Sequence, residues 1–320
     1  MFNSPRTFSN LFNRIPSRGY LLTAIIIFAS SSSMNEILME FGAEKTNVLF
    51  FSNLFALILL FFISRKKLNF ACLKRISRLD WLALVAVAIL GGVFAPYLMF
   101  KALDVTVANN VTLISRIEPP MVLLLSVIFL KERVNLWIII GASISFLGVI
   151  LTILLQHGDN LQSSFQIGSG ELMTLGAAIA YALSTIISKL KLKNIPLNIF
   201  TIFRISIVTL IFFLVTRLSA NSVDLSQGLS PFILLLILFY SLFIVVIGQF
   251  AWFQGLKKAR GTDISLASSF TPVAGVLINY FLLNEIPTIA QFIGCIVIVI
   301  GIILNHIGIK KMLLPGNNLS

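Results

Sequence analysis

Long apolar runs, separated by short polar and basic stretches, fill the chain from Tyr20 to Ile309. The apolar positions are continuous and not confined to every second residue, which excludes the alternating strands of a membrane β-barrel. A helix needs about 20 mostly apolar residues to cross roughly 30 Å of hydrocarbon. Ten stretches approach that length: Tyr20–Met39, Asn47–Ser64, Trp81–Phe100, Val107–Leu130, Asn135–Leu155, Glu171–Ser188, Leu197–Thr216, Pro231–Trp252, Asp263–Leu283 and Ile289–Ile309. Lipid offers no partner to an unpaired peptide group, so such runs must close their hydrogen bonds within helices. The pattern predicts an all-α polytopic membrane protein with ten transmembrane helices.

Composition narrows the class further. The chain is 58% hydrophobic and 11% charged, against about 45–50% and about 25% in soluble domains. Soluble enzymes, disordered chains and fibrous proteins are excluded, and 28 Phe suit a lipid-facing surface. The 24 Lys and Arg against 12 Asp and Glu do not imply nucleic acid, because no soluble domain exists to carry a basic stripe. They are orientation signals instead. With the N-terminus in the cytoplasm, the inner side receives Arg6, Arg14, Arg18, the cluster from Arg65 to Arg78, Lys131, Arg133, Lys189, Lys191, Lys193, Lys257, Lys258, Arg260, Lys310 and Lys311. The outer side receives Lys45, Lys101 and Arg217. This bias predicts a multi-pass protein of the plasma (cytoplasmic, or inner) membrane with both termini cytoplasmic. Residues 1–19 then read as a cytoplasmic tail that pins the first helix, 156–170 as an extracytoplasmic linker and 310–320 as a C-terminal tail. Cys72, Cys295, His157 and His306 are isolated, so neither a metal site nor a cofactor is expected.

Shifting the chain by 153 residues aligns Phe100–Leu151 with Phe253–Leu304 without gaps, roughly a quarter of positions being identical. Pro119 falls on Pro272, Glu132 on Glu285, Gly141 on Gly294 and Gly148 on Gly301. Such similarity points to a duplicated unit, 20–155 and 171–309. Five spans per unit is an odd number, so the second copy is expected to lie inverted relative to the first. Inverted repeats are the architecture of alternating-access carriers.

The segments VANNVTLISRIEPPMVLLLSVIFLKERVNLWIIIGASISFLGV, from Val107, and TDISLASSFTPVAGVLINYFLLNEIPTIAQFIGCIVIVIGI, from Thr262, resemble the paired EamA-type domains of the drug/metabolite transporter superfamily. The shared pattern is a small-residue helix start, a mid-helix proline, an apolar run ending in glutamate, and a glycine-containing helix. The Gly usual before that glutamate is replaced by Lys131 and Asn284. The Arg that many members carry in the second helix of each half is matched by Arg204, while the first half has Phe51, Ser52 and Asn53. The resemblance implies a ten-helix exporter or permease of small polar or amphiphilic metabolites.

Charged groups inside apolar runs mark the candidate chemistry. Arg116 and Glu118 stand halfway along the fourth span beside Pro119 and Pro120, and a mid-bilayer Arg costs about 2.5–3.5 kcal/mol unless it faces protein or water. Prolines 119, 120 and 272 should kink their helices and free the carbonyls of Ser115, Arg116 and Ser268. Positions two apart do not face each other on a helix, so Glu36 is the nearest candidate partner for Arg116. A structural ion pair between helices is the competing reading of Arg116. A carboxyl taken out of water pays to be charged, which makes Glu118 the candidate proton-coupling group. Ser30–Ser33 read as packing residues and Asn35 and Glu36 as cavity residues. Tyr97, Tyr181, Ser184, Arg204, Tyr240, Ser268, Ser269 and Thr271 complete the expected substrate-binding set, with snorkelling to the cytoplasmic surface the equal competing reading of Arg204. Gln249 and Trp252 read as an interfacial pair, Glu132 and Glu285 as structural ends that need a partner. The four glycines allow close helix approach within a unit or between protomers.

The expected function is secondary transport, by alternating access, of small neutral or zwitterionic metabolites such as amino acids, by a monomer or homodimer contacting lipid and solute. Nucleotide-linked or phosphorylated cargo is the alternative within that class. It would call for several converging cations, and only Arg116 and Arg204 qualify. An intramembrane enzyme or a scaffold is the alternative outside it, and the motifs an enzyme would need are missing.

Overall fold

The computed structural model describes residues 16–41, 45–64, 76–105, 111, 114–156, 168–191, 194–218, 230–284 and 286–313. Glu285 lies outside these residues, as do the side chains of Asn35 and Glu36. The regular structure among the described residues is all helical. We number its helices α1 (Ser17–Glu40), α2 (Lys45–Ser64), α3 (Arg78–Val87 running through a π-helical stretch Ala88–Phe94 into Ala95–Val105), α4 (Glu118–Leu130) and α5 (Leu136–Gln156). Then follow α6 (Ser169–Lys191), α7 (Leu197–Leu218), α8 (Pro231–Tyr240, π-helical Ser241–Gly248, Gln249–Lys258), α9 (Gly261–Ser269 and Thr271–Leu283) and α10 (Ile289–Leu313).

Among the described residues, six helical stretches are long and apolar enough to cross a membrane: Arg78–Met99, Ser169–Lys191, Leu197–Leu214, Pro231–Lys258, Gly261–Leu282 and Gln291–Lys311. Shorter apolar helices, Ser17–Ser31, Val48–Ser64, Glu118–Leu130 and Leu136–Leu151, accompany them. Large apolar side chains such as Phe61, Phe62, Phe281 and Phe292 stand outside the bundle. Lipid can cover such a surface and water cannot. The chain is a polytopic membrane protein.

Local structure recurs at a fixed offset. Ser77 and Ser230, 153 residues apart, cap α3 and α8 by accepting from the N–H groups of Asp80 (3.1 Å) and Ile233 (3.2 Å). The π-helical stretches begin at Ala88 and Ser241, again 153 apart. Helices α4 and α9 end at Lys131 and Asn284 with φ of 53° and 54°. This left-handed turn is where a glycine ordinarily stops a helix, so both residues hold glycine's conformation without being glycine.

The prolines differ from expectation. The sequence suggested kinks inside continuous spans, but the chain turns at Arg116 and Ile117 and restarts as α4 at Glu118. Helix α9 likewise breaks at Phe270 and restarts at Thr271. Pro119, Pro120 and Pro272 therefore occupy first turns, where a missing N–H sacrifices no helical bond. Neighbouring hydroxyls take up two nearby carbonyls: Thr271 Oγ1 donates to Ser268 O (2.8 Å) and Ser265 Oγ to Pro119 O (2.8 Å).

Helices α5 and α10 pack antiparallel along most of their length. A Cβ on Gly141 would lie 2.6 Å from Gly301 O, and one on Gly148 would lie 3.1 Å from Gly294 O. Between these crossings Ser145 Oγ donates to Ile298 O (3.3 Å), and Asn135 Nδ2 donates to Gly308 O (2.7 Å) near one end. The close approach of the glycines thus joins the first five helices to the last five within one chain.

Candidate functional site

Eight helices, all but α5 and α10, line a cavity of about 460 Å³. The breaks in α4 and α9 bring main chain and polar side chains to its wall: Ser115, Arg116 and Glu118 from one, Ser268 and Thr271 from the other. Tyr181, Ser184 and Ser188 come from α6, Arg204 from α7, and Tyr240, Gln249 and Trp252 from α8. Eight of the expected residues thus meet around one space: Arg116, Glu118, Tyr181, Ser184, Arg204, Tyr240, Ser268 and Thr271.

Others stand apart. Tyr97 is 50% exposed on α3, while its neighbour Pro96 lines the wall. Ser269 faces a small space beside Pro272 and donates to Ser265 O (2.9 Å). Gln249 and Trp252, which read as an interfacial pair, belong to the cavity: Arg204 Nη1 donates to Gln249 Oε1. Ser52 and Asn53 of α2 also reach it, and Ser241 Oγ donates to Ser52 O (2.8 Å). The π-helical stretch of α3 contributes Gly91 and Gly92. A Cβ at Gly91 would lie 2.3 Å from Ser184 Oγ, and one at Gly92 2.4 Å from Val208 Cγ2. Only glycine lets α3 approach α6 and α7 so closely there.

Arg204 is the most constrained cation in the wall. Its guanidinium lies over the Phe253 ring, 5.3 Å from the centroid, a placement that favours a cation. Its Nε is buried without a hydrogen-bond partner, and Ser188 Oγ, on the same wall, is also buried and unpartnered. Arg116 and Glu118 form no ion pair with each other among the described residues.

Three ion pairs tie the helices together at one end of the bundle. Arg18 of α1 pairs with Asp263 of α9 (2.9 Å), Glu132 after α4 with Lys189 of α6 (3.2 Å), and Asp80 of α3 with Lys191 (2.9 Å). Each pair joins one of the first five helices to one of the last five. Glu132 also accepts from the N–H of Gly261, at 2.9 and 2.8 Å to its two oxygens. A carboxylate at this helix start complements the dipole of α9, and Glu132 thereby gains the partner its position demanded. Lys189 Nζ donates further to Ala259 O. The largest apolar cluster spans the same region, from Leu21 and Leu84 to Phe200, Phe253 and Leu256.

Known proteins share this organisation. The EamA-like transporter family model matches residues 18–154 and again 168–307. An uncharacterized transporter of Synechocystis sp., sll1164, is 36% identical over 312 residues, covering 94% of this chain and 89% of its own. The uncharacterized transporter YdfC of Bacillus subtilis is 28% identical over 263 residues, covering 80% and 82%. A solved crystal structure superposes with a TM-score of 0.75 at 17% identity, covering 93% of this chain and 99% of that one; at that identity the likeness concerns the fold.

Proposed function

The chain belongs to the EamA-like transporter family, and on that footing we propose that it is a secondary transporter of small neutral or zwitterionic metabolites, amino acids or their relatives. The observation that carries this reading is a single wall bearing a carboxylate (Glu118), two guanidiniums (Arg116 and Arg204) and several hydroxyls around about 460 Å³. A space of that size lies within the range of small-molecule sites, and its opposite charges suit a solute carrying both signs. Asn35, Glu36, Tyr97 and Ser269 stay in the proposed binding set on their sequence position alone. Glu118 is the proposed proton-coupling group.

Alternating access needs two related halves that can exchange conformations around a midplane site. The 153-residue recurrence of caps, π-helical stretches and left-handed stops supports two such halves. The antiparallel α5/α10 contact supports their inversion. In this reading the chain has ten spans with both termini in the cytoplasm of a plasma membrane, and the tied end is the cytoplasmic one.

Counterflow of labelled amino acids in proteoliposomes, with and without a proton gradient, tests the proposal. Flux should be saturable, and Arg116→Ala should abolish it without preventing insertion. If Glu118→Gln keeps the wild-type dependence on the gradient, Glu118 is not the coupling group. No flux of any amino acid in the wild type would refute the cargo class.

A further inference from the structure

Resting on that reading of the cavity, we infer that Arg204 is the anchor for a carboxylate on the transported solute, with the solute's apolar part lying toward Trp252. A guanidinium offers five N–H donors. Among the described residues Arg204 makes one side-chain hydrogen bond, to Gln249, and no ion pair. Its Nε is buried and unused. Arg204 lines the cavity.

Among the described residues, no acid lies on the two helices that hold Arg204 and the side chains it touches, Gln249 and Phe253. Helices α7 and α8 contain no Asp or Glu, and the acid of α6, Glu171, lies in its first turn, far along the helix from Tyr181 and Ser184. Arg116 differs, for Glu118 follows it by two residues on the same wall. Among the described residues of the wall, two guanidiniums stand against one carboxylate, one positive charge in excess. An unbalanced charge within a membrane span is costly, and a carboxylate matches the planar fork of a guanidinium with two parallel hydrogen bonds. Phe253 and Gln249 hold the fork in place from α8, so little freedom is lost when a carboxylate docks. Ser188 Oγ, buried and unpartnered on the same wall, is a further donor for the solute. The indole of Trp252, on the same wall, favours an amphiphilic carboxylate over a small inorganic anion.

Four probes of one skeleton separate the head groups: L-leucine, 4-methylpentanoate, L-leucinamide and 3-methylbutylamine. Binding to the full-length protein in detergent is read from tryptophan fluorescence and from inhibition of leucine counterflow. The two carboxylates should bind the wild type at least about tenfold more tightly than the amide and the amine, the scale of a charge-assisted pair. Arg204→Gln should erase that preference, and Arg204→Lys should retain part of it. If the amide or amine binds as well as the carboxylates, or if Arg204→Gln keeps the discrimination, the carboxylate anchor is refuted while the transporter reading stands. If none of the four binds the wild type, the anchor proposal falls, and the transporter reading is decided by counterflow of the other amino acids. The wild-type comparison decides the matter even where a variant does not fold.

Discussion

Lys131 and Asn284 hold the same left-handed backbone, yet a side chain there costs about 1–2 kcal/mol relative to glycine, less for Asn. Lys131→Gly should therefore raise the thermal unfolding midpoint in detergent, by about 1 kcal/mol of stability, and Asn284→Gly by less. Lys131 is exposed, so no packing is lost to confuse the result. Glu132, 17% exposed, serves both Lys189 and the Gly261 N–H. Glu132→Ala leaves that buried donor unpaired and should destabilise by about 1–3 kcal/mol. Glu132→Gln keeps an acceptor and should cost less, a difference readable in the same melts. At this scale the sequence was informative at three charges that break apolar runs: Arg116, Glu118 and Arg204 all reach the cavity. It was misleading where an aromatic and an amide sat near a span end. Trp252 and Gln249 carry the signature of an interfacial anchor, and only the packing of α8 against α7 turns them inward. Tyr97 failed to join the cavity because Pro96, not the tyrosine, faces it.

Helix existence was legible because twenty apolar residues in lipid admit little else. Helix interruption was less so. Prolines announced irregularity in α4 and α9, but a kink and a fresh helix start use the same residue, and only the turn at Arg116 and Ile117 distinguishes them. The π-helical stretches of α3 and α8 have no sequence signature, although such stretches often mark functional sites. Here one of them delivers Gly91 and Gly92 to the cavity wall. The α5/α10 seam yields a sharper test. A Cβ on Gly141 would meet backbone on both sides, 2.5 Å from Asn305 N and 2.6 Å from Gly301 O. Gly141→Ala should then cost at least about 1–3 kcal/mol through overpacking, seen as lost monodispersity or a lowered melting midpoint. Gly275→Ala is the matched control, with nothing within 4 Å of its Cβ. It should be neutral or mildly stabilising, since alanine is the better helix former.

For the whole molecule, the pairs Arg18–Asp263, Glu132–Lys189 and Asp80–Lys191 all bridge the first five helices to the last five at one end. Removing two of them, by Glu132→Gln with Asp80→Asn, should shift the chain toward opening at that end. A coupling of about 1–3 kcal/mol corresponds to a 5–150-fold change in population. Labelling of Ser188→Cys by an impermeant thiol reagent, in a chain with Cys72 and Cys295 replaced, should accelerate at least about fivefold from that side. An unchanged rate would show that the pairs do not govern access. The topology has its own test. Reporter cysteines in 157–167 and just after Lys258 should be labelled from opposite faces of the membrane. The long apolar helices were readable from hydropathy, and the 153-residue offset of the sequence recurs in the caps, π-helical stretches and left-handed stops. Which residues of the two units touch was not readable, because antiparallel contact pairs positions that no single-chain alignment brings together.

Ser145 and Ile298 are counterparts at the 153-residue offset, and they touch each other. In the proposed alternating-access cycle, a residue that meets its own counterpart would mark a twofold axis, and the α5/α10 seam would be the fulcrum about which the remaining helices swing. Damage at a fulcrum weakens both poses of a rocking body alike. Substitutions there should lower the amount of intact carrier while leaving untouched the direction in which it prefers to face.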